Sequence, residues 1–142
     1  MRHRPVIGLL LPTLIFLFSS VLRADDAAEL AKQLKDSSAD IRASAAPKIG
    51  SMGEAGQAAS KELVAALTEE SPTVRRAVIK ALRKLKPDPK ETLPLFAKAL
   101  SDADPAVAMA AVHSLADEGE SVVPIMIKAL EGKQEAGYWA CL

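Results

Sequence analysis

The sequence predicts an all-α protein, a right-handed α-solenoid of stacked antiparallel helix pairs with about 3.5 repeats. Three observations lead to this prediction. Leucines that close a helical pattern recur after 33, 33 and 30 residues. An acidic residue and then an apolar residue follow the first three of them at matching spacings. Each repeat holds two amphipathic patterns that cannot bury their apolar faces alone, so the units must stack to form a continuous core. The closing leucines are Leu34, Leu67, Leu100 and Leu130.

Unit one is predicted at about residues 36–68, after a capping helix at 25–35. Its first helix is expected at 39–49, where the internal Pro47 removes a hydrogen bond and bends the helix. Its second helix is expected at 57–68. Three glycines are expected to break the chain between the two helices, namely Gly50, Gly53 and Gly56.

Unit two, at about residues 69–101, shows the template most clearly. Apolar residues at spacings of three and four give each of its helices one buried face. Pro87 and Pro89 stop the first helix, and Asp88 is placed to cap the second. The first face comprises Val74, Ala77, Val78, Ala81, Leu82 and Leu85, and the second comprises Leu93, Phe96, Ala97 and Leu100.

Unit three is predicted at about residues 102–131, with helices at 104–116 and 120–131. It is shorter because three residues are missing from the connection between its helices, where a deletion is tolerated. Pro94 and Pro124 each lie six residues before a closing leucine, which supports the register independently.

A partial fourth unit is expected at residues 132–142. It would end the array on an apolar, unfinished helix, whereas terminal units of a solenoid usually carry a polar outer face. The sequence therefore favours further repeats beyond this point over an end that meets a partner.

The unit resembles a HEAT repeat of the short, Ala/Leu-rich type often called PBS-lyase HEAT-like, over roughly residues 27–142. In that family an acid and an arginine form a ladder that ties turns to neighbouring helices. The resemblance implies this role for Arg42 and Arg75, whereas Ala108 and Tyr138 occupy the slot in later units. The matching elements are Asp36…Ile41-Arg42, Glu69…Val74-Arg75 and Asp102…Val107, with second-helix endings at 64–67, 97–100 and 127–130.

Residues 1–24 lie outside the repeat and have the three-part form of a secretory signal peptide. Arg2 and Arg4 precede an apolar run that is too short for a comfortable membrane span. We expect cleavage after Ala24 and a secreted or periplasmic protein. The alternative is an uncleaved anchor, which would tether a scaffold to the membrane.

The charge of the mature chain argues against non-specific nucleic-acid binding. Removal of residues 1–24 leaves 15 basic and 18 acidic residues, and such binding needs a basic surface. Basic residues do cluster in the first helix of unit two. We interpret them as a solvated helix face and leave an anion-binding patch as the alternative. They are Arg75, Arg76, Arg83, Lys84 and Lys86.

No set of residues predicts catalysis, a cofactor or a metal site. His113 and Asp117 are four residues apart, but two ligands fall short of the three that catalytic zinc sites use. His113 is expected to face solvent, since Lys80 and Pro47 occupy its slot in the other units. Cys141 is expected to be a small buried hydrophobe.

In HEAT arrays the second helices line the concave surface, and the resemblance implies two rows of partner-binding residues here. A stripe with two lysines flanked by apolar side chains suits an acidic, partly apolar peptide. The rows are Glu62, Leu95, Ile125 and Ala65, Lys98, Lys128, with Glu91 one turn before Leu95.

The leading interpretation is an exported, non-enzymatic scaffold that binds a protein or peptide and has no cofactor. The alternative is a HEAT-like segment of a larger secreted or periplasmic enzyme, or of a lyase-type chromophore protein, whose catalytic part lies outside this chain.

Overall fold

A computed structural model describes residues 25–132, apart from the side chains of residue 121 and residues 129–132. This range is helical and contains no strand, which confirms the predicted all-α, HEAT-like α-solenoid. The α-helices are α1 at 25–33, α2 at Ala39–Ser51, α3 at Ser60–Ala65, α4 at Pro72–Leu85, α5 at Pro89–Ala99, α6 at Pro105–Ala116 and α7 at Val123–Gly132. Short 3₁₀ helices occupy Gly53–Ala59, Ala66–Thr68 and Gly119–Val122.

The first helices of the units, α2, α4 and α6, form one layer, in which α4 packs between the other two. The second helices belong to the other layer, where α5 contacts α7 and also packs against α6 of the first layer. Helices therefore pack in neighbouring pairs, as stacked units require. Within residues 25–132, none of the helices combines the length and apolar character needed to cross a membrane.

The core repeats with the register that the leucine spacing predicts. Ala45, Val78 and Ala111 are 33 residues apart, and all three have a relative exposure of 0%. The second helices repeat with the same spacing, since Leu63 and Phe96 occupy equivalent positions and both are buried. Leu34 and Leu100 are buried, whereas Leu67 is half-buried at the edge of a groove.

Ile41 departs from the expected pattern. Its equivalents Val74 and Val107 are buried, but Ile41 is 40% exposed. We attribute this to the position of α2 in the stack. Among the described residues α2 has no first-type helix before it, whereas α4 packs on α2 and α6 packs on α4.

The second helix of unit one is less regular than predicted. Instead of a continuous helix at 57–68, α3 is short and has 3₁₀ turns on both sides. The interpretation of Gly50 as a chain break is wrong, because α2 continues through it to Ser51. A Cβ at Gly50 would lie 2.9 Å from the Cα of Ala81, so its role is to let α2 approach α4 closely.

The connection between α4 and α5 follows the prediction. α4 ends at Leu85, and the Asp88 side chain accepts a 2.9 Å hydrogen bond from the Lys90 N–H at the start of α5. Asp104 caps α6 in the same way, whereas the Ser71 side chain makes no capping hydrogen bond. Gln57 adds a cap from another unit, since its Nε2 donates to the Leu85 carbonyl over 2.6 Å.

One backbone feature recurs in units one, two and three and was not predicted. Gly53, Lys86 and Gly119 have φ angles of 61°, 48° and 66°, and they follow one another at 33-residue intervals. The connection between the two helices of a unit thus requires a left-handed residue at a constant place. Glycine adopts this conformation without steric cost, but lysine does not.

Replacing Lys86 with glycine should therefore stabilise the protein. The strain energy of a left-handed lysine is larger than the extra conformational entropy cost of ordering a glycine. We therefore expect the free energy of unfolding to rise by about 0.5–1 kcal/mol. Lys84→Gly is the matched control, since Lys84 lies within α4 and its replacement should cost about 1 kcal/mol. Urea denaturation measures both changes, and a loss of stability in Lys86→Gly would contradict the argument.

Several predictions concern parts of the chain outside the described residues. These are the signal peptide at 1–24, most of the partial unit at 132–142, and the placements of Tyr138 and Cys141. They remain predictions.

Candidate functional site

A groove with a volume of about 420 Å³ separates the second helices of units one and two. Its floor includes Ile79 and Val107, which belong to the core. Val64 and Leu67 line one wall, and Leu95 lies on the other. The remaining lining residues are Thr68, Glu69, Arg75, Lys98, Ala99, Ser101 and Asp102. The groove therefore offers an apolar floor and walls with a polar rim, which is the usual composition of a binding site.

Most charges around the groove neutralise one another. Asp102 is paired with Arg75, and Glu69 is paired with Arg42. Lys98 is exposed and has no ion-pair partner among the described residues. The net effect is one available positive charge at the rim of an apolar groove.

Arg75 holds the base of the groove together. Its Nε and Nη2 atoms donate to the two carboxylate oxygens of Asp102 over 2.8 and 2.7 Å, a bidentate pair between units two and three. Its Nη1 atom donates to the Glu69 and Glu70 carbonyls over 2.7 and 2.8 Å. One guanidinium thus fixes the turn before its own helix and the turn of the next unit, as the family resemblance implies.

Arg42 makes the equivalent link one unit earlier, but less completely. Its Nη1 atom donates to the Asp36 and Ser37 carbonyls, and its Nη2 atom lies 3.1 Å from one carboxylate oxygen of Glu69. Its Nε atom is buried without a hydrogen-bond partner. The arginine link between units one and two is therefore weaker than the arginine link between units two and three.

The ladder has no arginine in unit three, where the slot is taken by the buried Ala108. A different pair joins α4 to the end of α6, because the Arg83 guanidinium donates through Nε and Nη2 to Asp117. The hydrogen bonds from Arg83 lower the pKa of Asp117. Asp117 is thus engaged by Arg83, while His113 is exposed as predicted. Over residues 25–132 no three His, Cys, Asp or Glu side chains cluster as a metal site would need.

The pKa of Asp102 is lowered overall. Burial raises it, but the hydrogen bonds from Arg75 and from the Asp104 N–H, together with the charge of Arg75, outweigh burial. A carboxyl whose folded-state pKa is depressed stabilises the fold above its unfolded pKa of about 3.9. This stabilisation is lost as the pH falls through the folded-state pKa.

Asp102→Asn should consequently destabilise the protein at neutral pH and have a smaller effect in acid. We expect the difference in unfolding free energy between the native chain and the variant to shrink as the pH falls below about 4. Urea denaturation at several pH values measures this difference. A difference that stays constant from neutral pH into acid would show that the ionised carboxylate contributes nothing.

The predicted partner-binding residues lie in separate places. Leu95 and Lys98 line the groove described above. Glu62 lines a second, alanine-rich groove of about 250 Å³ between α1 and unit one, together with Lys32 and Lys35. Three further residues line neither groove: Glu91 is exposed in the first turn of α5, Ile125 is half-buried on α7, and Lys128 is exposed on α7.

The repeat register does predict that equivalent residues in each of the two partner-binding rows are exposed to a similar degree. Glu62, Leu95 and Ile125 are half-buried, whereas Ala65, Lys98 and Lys128 are exposed. What sequence reasoning missed is that a groove has two walls and a floor from different helices. The signal for the second wall was the pair of apolar residues at the end of the second helix of unit one, Val64 and Leu67.

Comparison with known families agrees with this geometry. Residues 27–90 match the family model described as HEAT repeats, and this range ends at the start of α5. A comparison with curated proteins finds no match. Over residues 27–90 the chain is thus similar to HEAT repeat proteins, and its described helices form a HEAT-like α-solenoid.

Proposed function

We propose that the chain is an exported scaffold that binds an acidic, partly apolar segment of another protein in the groove between units one and two. HEAT repeats are generally protein-interaction scaffolds and are typically non-catalytic. The observation that carries the proposal is the unpaired Lys98 beside an apolar groove.

The groove fits a peptide in size and chemistry. A volume of about 420 Å³ holds a few side chains. Leu67 and Leu95 are half-buried on opposite walls, so apolar side chains of a ligand would remove further apolar surface from water. A carboxylate of the ligand would then meet Lys98. Glu69 and Asp102 repel this carboxylate only weakly, because each of them is already paired with an arginine.

The test uses a synthetic peptide of about ten residues that carries two leucines and two aspartates, and an otherwise identical peptide with asparagines. Fluorescence anisotropy gives the dissociation constants. We expect Lys98→Glu/Lys128→Glu to bind the acidic peptide about tenfold more weakly than the native chain, a loss of about 1.4 kcal/mol. Full-strength binding by the double variant would overturn the proposal.

Single variants sharpen the test. Lys98 lines the groove and Lys128 does not, so Lys98→Glu should account for most of the loss. Lys90→Glu is the matched control, because Lys90 is an exposed lysine in the first turn of the same helix and lies outside the groove. An equal loss in Lys90→Glu would indicate a general charge effect and would count against the groove.

Export is a separate part of the proposal and is supported by the composition of residues 1–24. Mass spectrometry of the protein from its native host should give a mature chain that begins at Asp25. An intact N-terminus on membrane-associated protein would favour an anchor instead.

A further inference from the structure

The exposed face of α4 carries positive charge that the protein itself neutralises only at Arg83 among the described residues. Arg76, Lys80 and Lys84 are exposed and lie four residues apart on one stripe, with about 6 Å between successive positions along the helix axis. Arg83 and Lys86 flank this stripe and are also exposed. We call these five residues the α4 basic surface. No acidic residue occurs in α4 to offset them.

The neighbouring helices add little negative charge. Asp40 is the one acid within α2, and α6 contains none. Asp117 reaches the α4 basic surface from the end of α6, but it is engaged by Arg83. Within residues 25–132, Arg76, Lys80 and Lys84 have no ion-pair partner.

This arrangement is unfavourable for the isolated protein. Like charges four residues apart on a helix repel one another and destabilise it. The chain is slightly acidic without residues 1–24, yet five of its fifteen remaining basic residues lie in α4. A ligand that brings carboxylates to α4 would relieve the repulsion.

We propose that the α4 basic surface binds an acidic segment of a partner protein, with Asp or Glu side chains spaced to meet Arg76, Lys80 and Lys84. The Asp117 carboxylate already receives two hydrogen bonds from Arg83, which shows how this surface accommodates such a group. The interaction is electrostatic and needs no apolar anchor. It involves the layer of first helices and does not depend on the groove between the second helices.

Other polyanions fit the surface less well. α2, α4 and α6 contain no Phe, Tyr or Trp side chain on which a nucleobase could stack, and their one aromatic ring is the imidazole of His113 on α6. α4 exposes no large apolar side chain that could enter a lipid bilayer. An acidic protein segment requires only the charges that α4 presents.

The test uses a helical Ala-rich peptide with glutamate at every fourth position, and a matched peptide with glutamine. It contains no large apolar residue, so it does not exploit the groove. Fluorescence anisotropy should show binding of the glutamate peptide that weakens strongly between about 50 and 200 mM salt. The variant Arg76→Gln/Lys80→Gln/Lys84→Gln should bind about tenfold more weakly than the native chain, since each exposed pair contributes a factor of about two.

The matched control is Lys35→Gln/Lys61→Gln/Lys90→Gln, which removes the same charge from three exposed lysines outside α4. It should retain affinity within about twofold, and circular dichroism should show that both triple variants are folded. Equal losses in the two variants, or equal binding of the glutamate and glutamine peptides, would overturn the proposal. The proposal would also be overturned if the native chain bound phosphatidylserine vesicles or single-stranded RNA but not the glutamate peptide, and if the α4 triple variant lost that binding.

Discussion

Arg75→Ala should lower the free energy of unfolding by about 3 kcal/mol, because it breaks charge-assisted hydrogen bonds at a poorly hydrated site. The Arg75 and Asp102 side chains are only 16% and 12% exposed, so water cannot fully replace the lost partner. The substitution also leaves the Glu69 and Glu70 carbonyls without the Nη1 donor. Urea denaturation followed by circular dichroism measures the loss.

The neighbouring arginine provides the control. Arg76 is exposed and has no ion-pair partner in the described part of the chain, so Arg76→Ala should change stability by no more than about 0.5 kcal/mol. Arg75→Lys keeps the charge but lacks the forked geometry, and it should recover only a minor part of the loss. Equal stabilities for Arg75→Ala and Arg76→Ala would refute the proposed role of the ladder.

Gly56→Ala should be comparably damaging, for a steric reason. A Cβ at Gly56 would overlap the carbonyl oxygen of Ile49 and would lie 2.9 Å from Cδ2 of Leu85. The leucine could rotate, but the backbone oxygen belongs to α2 and could move only with that helix. We expect a loss of about 3 kcal/mol, at the upper end for overpacking. The midpoint of thermal unfolding and urea denaturation both report it.

Gly53→Ala separates steric overlap from backbone strain. Gly53 has a φ of 61°, and a Cβ there would meet no heavy atom within 4 Å. Its replacement should therefore cost about 1 kcal/mol, the strain of a left-handed alanine alone. If the two alanine variants were equally stable, the close approach at Gly56 would not matter to the fold.

The repeat register was predictable because burial imposes it. A stacked helix pair must put apolar residues at the same places in each unit, and Val78 and Leu82 therefore recur as Ala111 and Leu115 in the next core layer. The caps at Asp88 and Asp104 were also predictable, since Asp-Pro at a helix start has a local cause.

The roles of the glycines were not predictable from local sequence. A glycine can break a helix, adopt a positive φ or permit close packing, and its distant neighbours decide which. Gly50 permits close packing because the backbone of Ala81 lies next to it. Gly56 does so because the Ile49 carbonyl and the Leu85 side chain lie next to it. The regular spacing of Gly53 and Gly119 did contain a signal, which the lysine at position 86 obscured.

The candidate site was predictable only in part for a similar reason. Register predicts Leu95 and Lys98 on one face of α5, and both line the groove. It does not reveal that Val64 and Leu67 face them across a groove, because that depends on how far apart two units are held. Nor does it reveal that Glu69 pairs through one oxygen where Asp102 uses two.

That difference between the two arginine links has a mechanical consequence. The arginine link between units one and two is the looser of the two links, because Arg42 contacts its acid through a single oxygen and its Nε has no hydrogen-bond partner. The walls of the groove belong to those same two units. Glu69 also lines the groove, so rotation of its less constrained carboxylate would change the shape of the groove and fit it to side chains of different size. A segment bound across both walls would restrict this rotation.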